Sequence, residues 1–483
     1  MMRKKMNKHL YRYIGLLVLT GWLASCSVPT SLIPRNERKT VPQQYSVAPA
    51  DTANSATIKW RNFFADQQLV ALIDTALANN QELNIVIREI SIAKNEVKAR
   101  KGEYLPFINL QGSAGLEKVG RFTRQGSVEA NSDIAPGTQF PDPLPDFLLA
   151  ANFSWQVDIW KKLRNATKSA MLRYLATTDG KNFLVTHLIA EVATSYYELM
   201  ALDNQLEILK RNIEIQQNAL EIVKQQKQAA KVTELAVKRF EAEVLKNQSR
   251  IYRIQQDIVE TENRINFLVG RFPQHVERNS DMFIDMAPTM MNAGLPSQLL
   301  KNRPDIRQAE LELAATKIDV TVARANFYPS LDISAGAGLN AYNGSYLFTK
   351  PESMIYALAG GLTAPLVNRN AIKAMYYNAN ARQIQAVYNY ERTILNACIE
   401  VANQVSNINN MRTSYDLRAQ QVRALTESID ISTRLFKSAR ADYMEVLLTQ
   451  RDALESRFEL IDTKMQQLHA VVNMYQALGG GWN

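Results

Sequence analysis

The chain has 483 residues, enough for several domains, and its 46% apolar and 21% charged composition excludes wholesale disorder. Its formal charge of +9 is inflated by the first 25 residues, which hold Arg3, Lys4, Lys5, Lys8 and Arg12 and no acid. Beyond them 51 basic residues face 47 acidic ones, and no basic stripe is interleaved with aromatics, so nucleic acid is not an expected partner.

The first element, residues 1–25, reads as an export signal. A basic start precedes the apolar run "YIGLLVLTGWLA" (13–24), too short for a comfortable membrane span. It ends in Leu23-Ala24-Ser25-Cys26, which resembles a bacterial lipoprotein signal. That resemblance implies cleavage before Cys26 and a covalent lipid on it, N-palmitoyl and S-diacylglycerol, as the only attached group. Residues 26–60, with Pro29, Pro34, Pro42 and Pro49, then read as an extended linker from anchor to body. The other cysteine, Cys398, lies on an apolar seam with Ile394, Val401, Val405 and Ile408 and reads as a buried small hydrophobe.

A helix is predicted over about 66–103, closed by Pro106. Strands follow at about 107–116 and 147–160, separated by a polar, Gly- and Pro-rich loop. Helix is then predicted to about 229, and again over about 233–269. Within it Leu199, Leu202, Leu206, Leu209 and Ile213 step by 3, 4, 3 and 4, and Leu220 and Val223 continue the seam, with Gln216 its one polar member. This is coiled-coil spacing. Some 60 helical residues would reach about 90 Å, more than a globular domain needs and enough to bridge a wide compartment.

The pattern then repeats. "EYLPFINLQGSAGL" (103–116) matches "NFYPSLDISAGAGL" (326–339), and "ELAVKRFEAEVLKNQSR" (234–250) aligns with "YMEVLLTQRDALESRFE" (443–459). The expected domains are a first repeat at 61–270, a linker at 271–303 containing "GLPSQLLKNRPDI", and a second repeat at 304–480. Each repeat reads helix, strand, loop, strand, long helix, shorter helix. The fold class is mainly α with β.

All four strands alternate. Ala151, Phe153, Trp155, Val157 and Ile159 oppose Asn152, Ser154, Gln156 and Asp158. Leu331 and Ile333 oppose Asp332 and Ser334. A half-buried sheet packed on helices is the commoner use of such a pattern. Here the polar face recurs on every strand, the inter-strand loops are polar, and the export signal points to a membrane. Each strand is about 10 residues, the length that crosses a bilayer when tilted. The expectation is therefore a transmembrane barrel wall, with Phe153, Trp155, Val157, Ile159, Leu331 and Ile333 facing lipid. Four strands cannot close a barrel, and open edges are not tolerated in hydrocarbon, so several copies must pool their strands.

On the duplicated "YLP" and "FYPS" motifs, "WQVDIW" answered by "LTAPLV", the linker "GLPSQLLKNRPDI", and the pair "VTELAVKRFEAEVL" and "ADYMEVLLTQRDAL", the chain resembles the TolC-like outer-membrane efflux proteins. It fits their lipoprotein branch serving resistance-nodulation-division pumps. The resemblance implies a homotrimer with a twelve-stranded barrel and a periplasmic helical tunnel. A periplasmic adaptor and an inner-membrane transporter would dock at the far end, and the chain would be a gated conduit that performs no chemistry; the alternatives are the outer-membrane duct of a type I protein-secretion system and a non-conducting coiled-coil lipoprotein spacer. It also implies adaptor contact at the helix turns, Ala230 and Lys231 in one and Ala439 and Arg440 in the other, where relatives often have Gly. Glu445 matches an acidic gate position, with Asp442 beside it, while Leu448 stands where relatives often have Asp. The four histidines, His9, His187, His275 and His469, show no ligand spacing. Met282, Met286, Met290 and Met291 cluster in the linker, and packing is their ordinary use. No metal site is expected.

Overall fold

The computed structural model describes residues 28, 29, 32, 35–45, 52–438 and 440–482. Cys26, the export signal and Ala439 lie outside the described residues. In chain order the elements are α1 (Trp60–Phe63), α2 (Gln67–Asn79), α3 (Gln81–Glu103), β1 (Phe107–Glu117), α4 (Arg124–Asn131), β2 (Asp133–Ala135), β3 (Thr138–Gln139) and β4 (Leu144–Val157). Then come α5 (Lys162–Gln228), α6 (Glu234–Leu268), α7 (Pro296–Asn302), α8 (Pro304–Ala325), β5 (Ser330–Ala341), β6 (Met354–Thr363), α9 (Asn370–Lys437) and α10 (Tyr443–Ala477).

The predicted helix over 66–103 is two helices. Asn80 interrupts it: its side-chain oxygen accepts from Leu83 N–H at 2.9 Å and caps α3, while its amide donates to Leu268 O at 2.9 Å. The polar loop after β1 is also more ordered than its composition suggests. It folds into α4, started by the Thr123 hydroxyl cap on Gly126 N–H, and the two-stranded ribbon of β2 and β3.

One compact unit comprises Ile92–Tyr174, Glu312–Val387 and the described part of Met1–Asn36. Its centre is an antiparallel sheet in the order β1-β4-β5-β6, with β1 and β6 as edges. The register puts like with like. One row across the sheet is Ile108, Phe153, Ala335 and Leu358; the next is Leu110, Ala151, Ala337 and Tyr356. Trp155 pairs with Ile333, and Val157 with Leu331. Because side chains alternate, these rows share one face. The other face carries Asn109, Asn152, Ser154 and Ser334, with Asn152 donating to Gln111 at 3.1 Å. Gly338 sits where β5 crosses β4 so closely that a Cβ would lie 2.5 Å from Leu149 O.

Below β4 the strand ends at Val157, two residues before Ile159. Asp158 is the reason. Its carboxylate accepts from Leu163 and Arg164 N–H, both at 3.0 Å, and so caps α5, which bends the chain through Lys161 at φ 58°. Ile159 therefore stands in the turn and not at a strand position, a correction to the predicted lipid-facing row. In the same unit Val28 and Leu32 pack against Phe327 and Tyr376, which flank the start of β5 and the end of β6.

The second unit, Glu37–Ser91, Leu175–Leu311 and Tyr388–Asn483, is helical. Its main core gathers Phe63, Leu69, Ile73, Tyr196, Leu199, Ile265 and Phe283, and Phe63 stacks on Tyr475 at 4.1 Å. Along α5 the seam is buried: Leu199, Leu209, Ile213, Leu220 and Val223 all lie inside. Two further apolar layers, one around Leu209, Ile254 and Phe458 and one around Leu220, Phe240 and Leu447, flank buried Gln216, whose oxygen accepts from Asn247 at 2.8 Å.

Candidate functional site

The sheet is bare on its apolar face. Ile108, Leu110, Tyr356, Leu358 and Leu362 are 70–87% exposed. Large apolar side chains aligned in rows over four strands, left uncovered by the other described residues, form a patch of the kind that marks contact with lipid or another chain. Phe153, Trp155, Val157, Leu331 and Ile333 all lie on this face and are half-buried among their neighbours. Trp155 also directs its indole N–H to Tyr104 O at 3.0 Å, which pins the lower end of β4 to the chain leading into β1. Among the described residues no helix is long and apolar enough to cross a membrane, a statement that concerns helices alone.

The turns between paired helices carry the other candidate residues. Helix α5 ends with a left-handed residue, Ala230 at φ 56°, and Lys231 N–H returns to Gln226 O at 2.9 Å. Glycine normally fills such a position, and a Cβ there costs about 1–2 kcal/mol. Lys227 pairs with Glu234 across the turn and holds that carboxyl below its ordinary range. At the second turn Arg440 N–H bonds Leu435 O at 2.9 Å, the same span as in the first. The structure brings the two turns together: Val232 from one and Tyr443 from the other pack on the cluster of Leu220, Phe240 and Leu447. Arg239 adds a 3.1 Å contact to Met444 Sδ.

Asp442 is the N-cap residue of α10 and Glu445 lies in its first turn. Both are exposed, and neither forms an ion pair among the described residues. A helix N-terminus is a favourable place for such acidic side chains. Leu448 is 38% exposed one turn further on. Met282 and Met286 line a cavity of about 530 Å³ with Phe64, Asp66 and Tyr197, while Met290 is 87% exposed. Among the described residues no group of three or more His, Cys, Asp or Glu could hold a metal ion. The Cys398 thiol is half-buried, and burial pushes it up from its ordinary range.

A bare apolar sheet of bilayer-length strands, in a chain otherwise made of long coiled-coil helices, defines the class of outer-membrane channels. The chain belongs to the outer membrane efflux protein family, whose pattern matches residues 72–271 and 295–480. It is 27% identical over 460 residues to the cation efflux system protein CusC of Escherichia coli, covering 93% of this chain and 96% of that one. The pyoverdine export outer membrane protein OpmQ of Pseudomonas aeruginosa is 26% identical, with 93% of each chain covered. The probable outer membrane lipoprotein SilC of Salmonella typhimurium is also 26% identical, with 95% and 96% covered. A crystal structure of CusC superposes with a TM-score of 0.80 at 25% identity, covering 93% of this chain and all of that one. The protein is thus an outer-membrane efflux protein.

Proposed function

We propose that three copies pool their sheets into a twelve-stranded barrel and their helices into a periplasmic conduit. This would be the passive exit duct of a tripartite pump. One observation carries the reading: the apolar rows lie on one exposed face while both sheet edges, β1 and β6, lack a partner strand among the described residues. Edges cannot stay open in hydrocarbon, so β1 of one copy pairs with β6 of the next. A second set of features supports association. Ile215 and Ile222 on α5, and Leu245, Tyr252 and Val259 on α6, are 48–74% exposed at seven-residue intervals, the spacing of a seam that another helix covers.

In this reading 61–270 and 304–480 are duplicated halves joined by 271–303. The paired turns, with Ala230, Lys231, Ala439 and Arg440, meet the adaptor of a resistance-nodulation-division pump. Asp442 and Glu445, repeated in three copies, form acidic rings that repel anions and narrow the conduit. The duct itself performs no chemistry. Cargo is small toxic compounds, drugs among them; relatives named for cation efflux and for pyoverdine export share this scaffold, so the cargo is set elsewhere. Acylation of Cys26 is supported by the packing of Val28 and Leu32 against Phe327 and Tyr376, which holds the chain just beyond Cys26 beside the lower end of the sheet.

Two measurements test the proposal. In planar bilayers the purified protein conducts ions, and Glu445→Ala raises conductance; an unchanged conductance removes Glu445 from the gate, and no conductance at all ends the duct reading. Radioactive palmitate labels the wild type and not Cys26→Ser; persistent labelling of the variant refutes the anchor assignment.

A further inference from the structure

The lower ends of the strands carry a surplus of cations, seven of which form no ion pair among the described residues. Four stretches flank the sheet on its helical side: 96–106, 158–168, 320–329 and 364–373. Together they hold ten Lys and Arg residues and three acids. All three acids are taken, Glu96 and Glu103 by Arg100 and Asp158 by Arg164. Lys98 and Lys101 before β1, Lys161, Lys162 and Lys168 after β4, Arg324 before β5 and Lys373 after β6 form no ion pair among the described residues. Apart from half-buried Lys162, all of them are exposed. At the other end of the strands the connecting stretches 118–143 and 342–353 hold four residues of each sign.

Aromatic side chains lie at the same level as the cations. Trp160 donates its indole N–H to Pro329 O at 2.7 Å and stacks on Tyr328 at 4.7 Å. Trp160, Lys162 and Tyr328 line a shallow notch of about 260 Å³ beside Ser330 and Thr363. Indole and phenol rings beside lysines, just past the end of an apolar sheet, suit the boundary where hydrocarbon gives way to headgroups.

We propose that this collar binds the headgroups of anionic phospholipids in the leaflet that meets the helical ends of the strands. The inference rests on the reading of the sheet as a membrane wall. Lys161, Lys162 and Arg324 adjoin β4 and β5, the inner strands, so copies joining along β1 and β6 leave them open to lipid. Each such cation near an anionic surface strengthens attachment about fivefold. The surplus sits at one end of the strands only, so it also fixes which way the sheet faces across the bilayer.

The test uses the full-length protein in detergent, exchanged against mixed phosphatidylglycerol and phosphatidylcholine, with retained lipid counted by mass spectrometry. The wild type keeps phosphatidylglycerol over phosphatidylcholine by roughly tenfold or more, and the preference falls as salt is raised. The K161Q/K162Q/R324Q variant loses most of that preference, while K161R/K162R/R324K retains it. Equal retention of the two lipids by the wild type, or an undiminished preference in the glutamine variant, overturns the proposal. Should the glutamine variant fail to assemble, the wild-type salt series decides, and a preference indifferent to salt overturns it. A protein that stays dispersed without detergent would instead refute the membrane wall itself.

Discussion

Arginine in place of Leu358 is expected to keep the protein out of the outer membrane, although that residue is 79% exposed in the single chain. In water, a substitution at so open a position changes stability by no more than about 0.5 kcal/mol. In a bilayer the sum is different. Leu358 lies midway along β6, in the row with Ala335, Phe153 and Ile108. An arginine on the lipid face near the midplane costs about 2–4 kcal/mol, and a threefold assembly meets that cost three times. The neighbouring residue supplies the control. Ala359 pairs with Ser334 on the polar face, so Ala359→Arg should insert normally and shift the conducted current toward anions. Yield in the outer-membrane fraction and planar-bilayer selectivity read both variants. Normal insertion of Leu358→Arg would mean that the apolar rows meet something other than lipid.

Much of this architecture is legible in the residues because it depends on short periods. Alternation marks the strands, and the 3, 4, 3, 4 steps of Leu199 to Ile213 mark a seam whose members are buried, apart from the half-buried Leu202 and Leu206. What escapes the sequence is set by partners far along the chain. Gln216 is visible as a polar break in an apolar seam, but Asn247, which donates to its oxygen, belongs to another helix and carries no mark of its own. Asn80 looks like any polar helix residue until Leu268 O is placed beside it. Asp158 continues a clean strand alternation through Ile159, and only the need of α5 for a cap shows why the strand stops earlier. The turn at Ala230 is different again. A departure from glycine can be noticed in the sequence, but the left-handed backbone that makes it costly appears only in three dimensions. The candidate gate is the least legible part. Among the described residues Asp442 and Glu445 have no side-chain partner to reveal what they do, because their proposed partners are copies of themselves.

Removing the Arg303 guanidinium is expected to cost about 3–5 kcal/mol and to deprive the helical unit of a buried polar tie. Arg303 lies in "KNRPDI", a stretch that reads simply as linker, yet its side chain is only 6% exposed. It forks onto Asp305 at 3.0 and 2.7 Å, reaches Glu400 on α9 at 2.6 Å, and donates to Ala477 O at the end of α10 at 2.9 Å. Burial lowers its pKa, but Asp305 and Glu400 outweigh burial, so the group stays charged. The chain's C-terminal end closes over the same place: Trp482 donates to Asn302 O at 3.1 Å, and Gly479, at φ 85°, comes so near that a Cβ would lie 2.6 Å from that oxygen. Arg303→Met fills the volume but leaves the Asp305 carboxylate, 17% exposed, without its cation and with the Ile306 N–H at 2.9 Å still donating to it, and leaves Ala477 O without this donor. Glu400, 52% exposed, turns to water and contributes little. If the stranded charge dominates, Arg303→Met with Asp305→Asn should recover a substantial part of the loss, and Arg303→Lys, which keeps the charge without the fork, should fall between. Urea midpoints of the detergent-solubilised protein separate these cases. A double variant no more stable than Arg303→Met alone would put the cost in lost geometry at the meeting of α7, α9 and α10, and not in an unpaired buried charge.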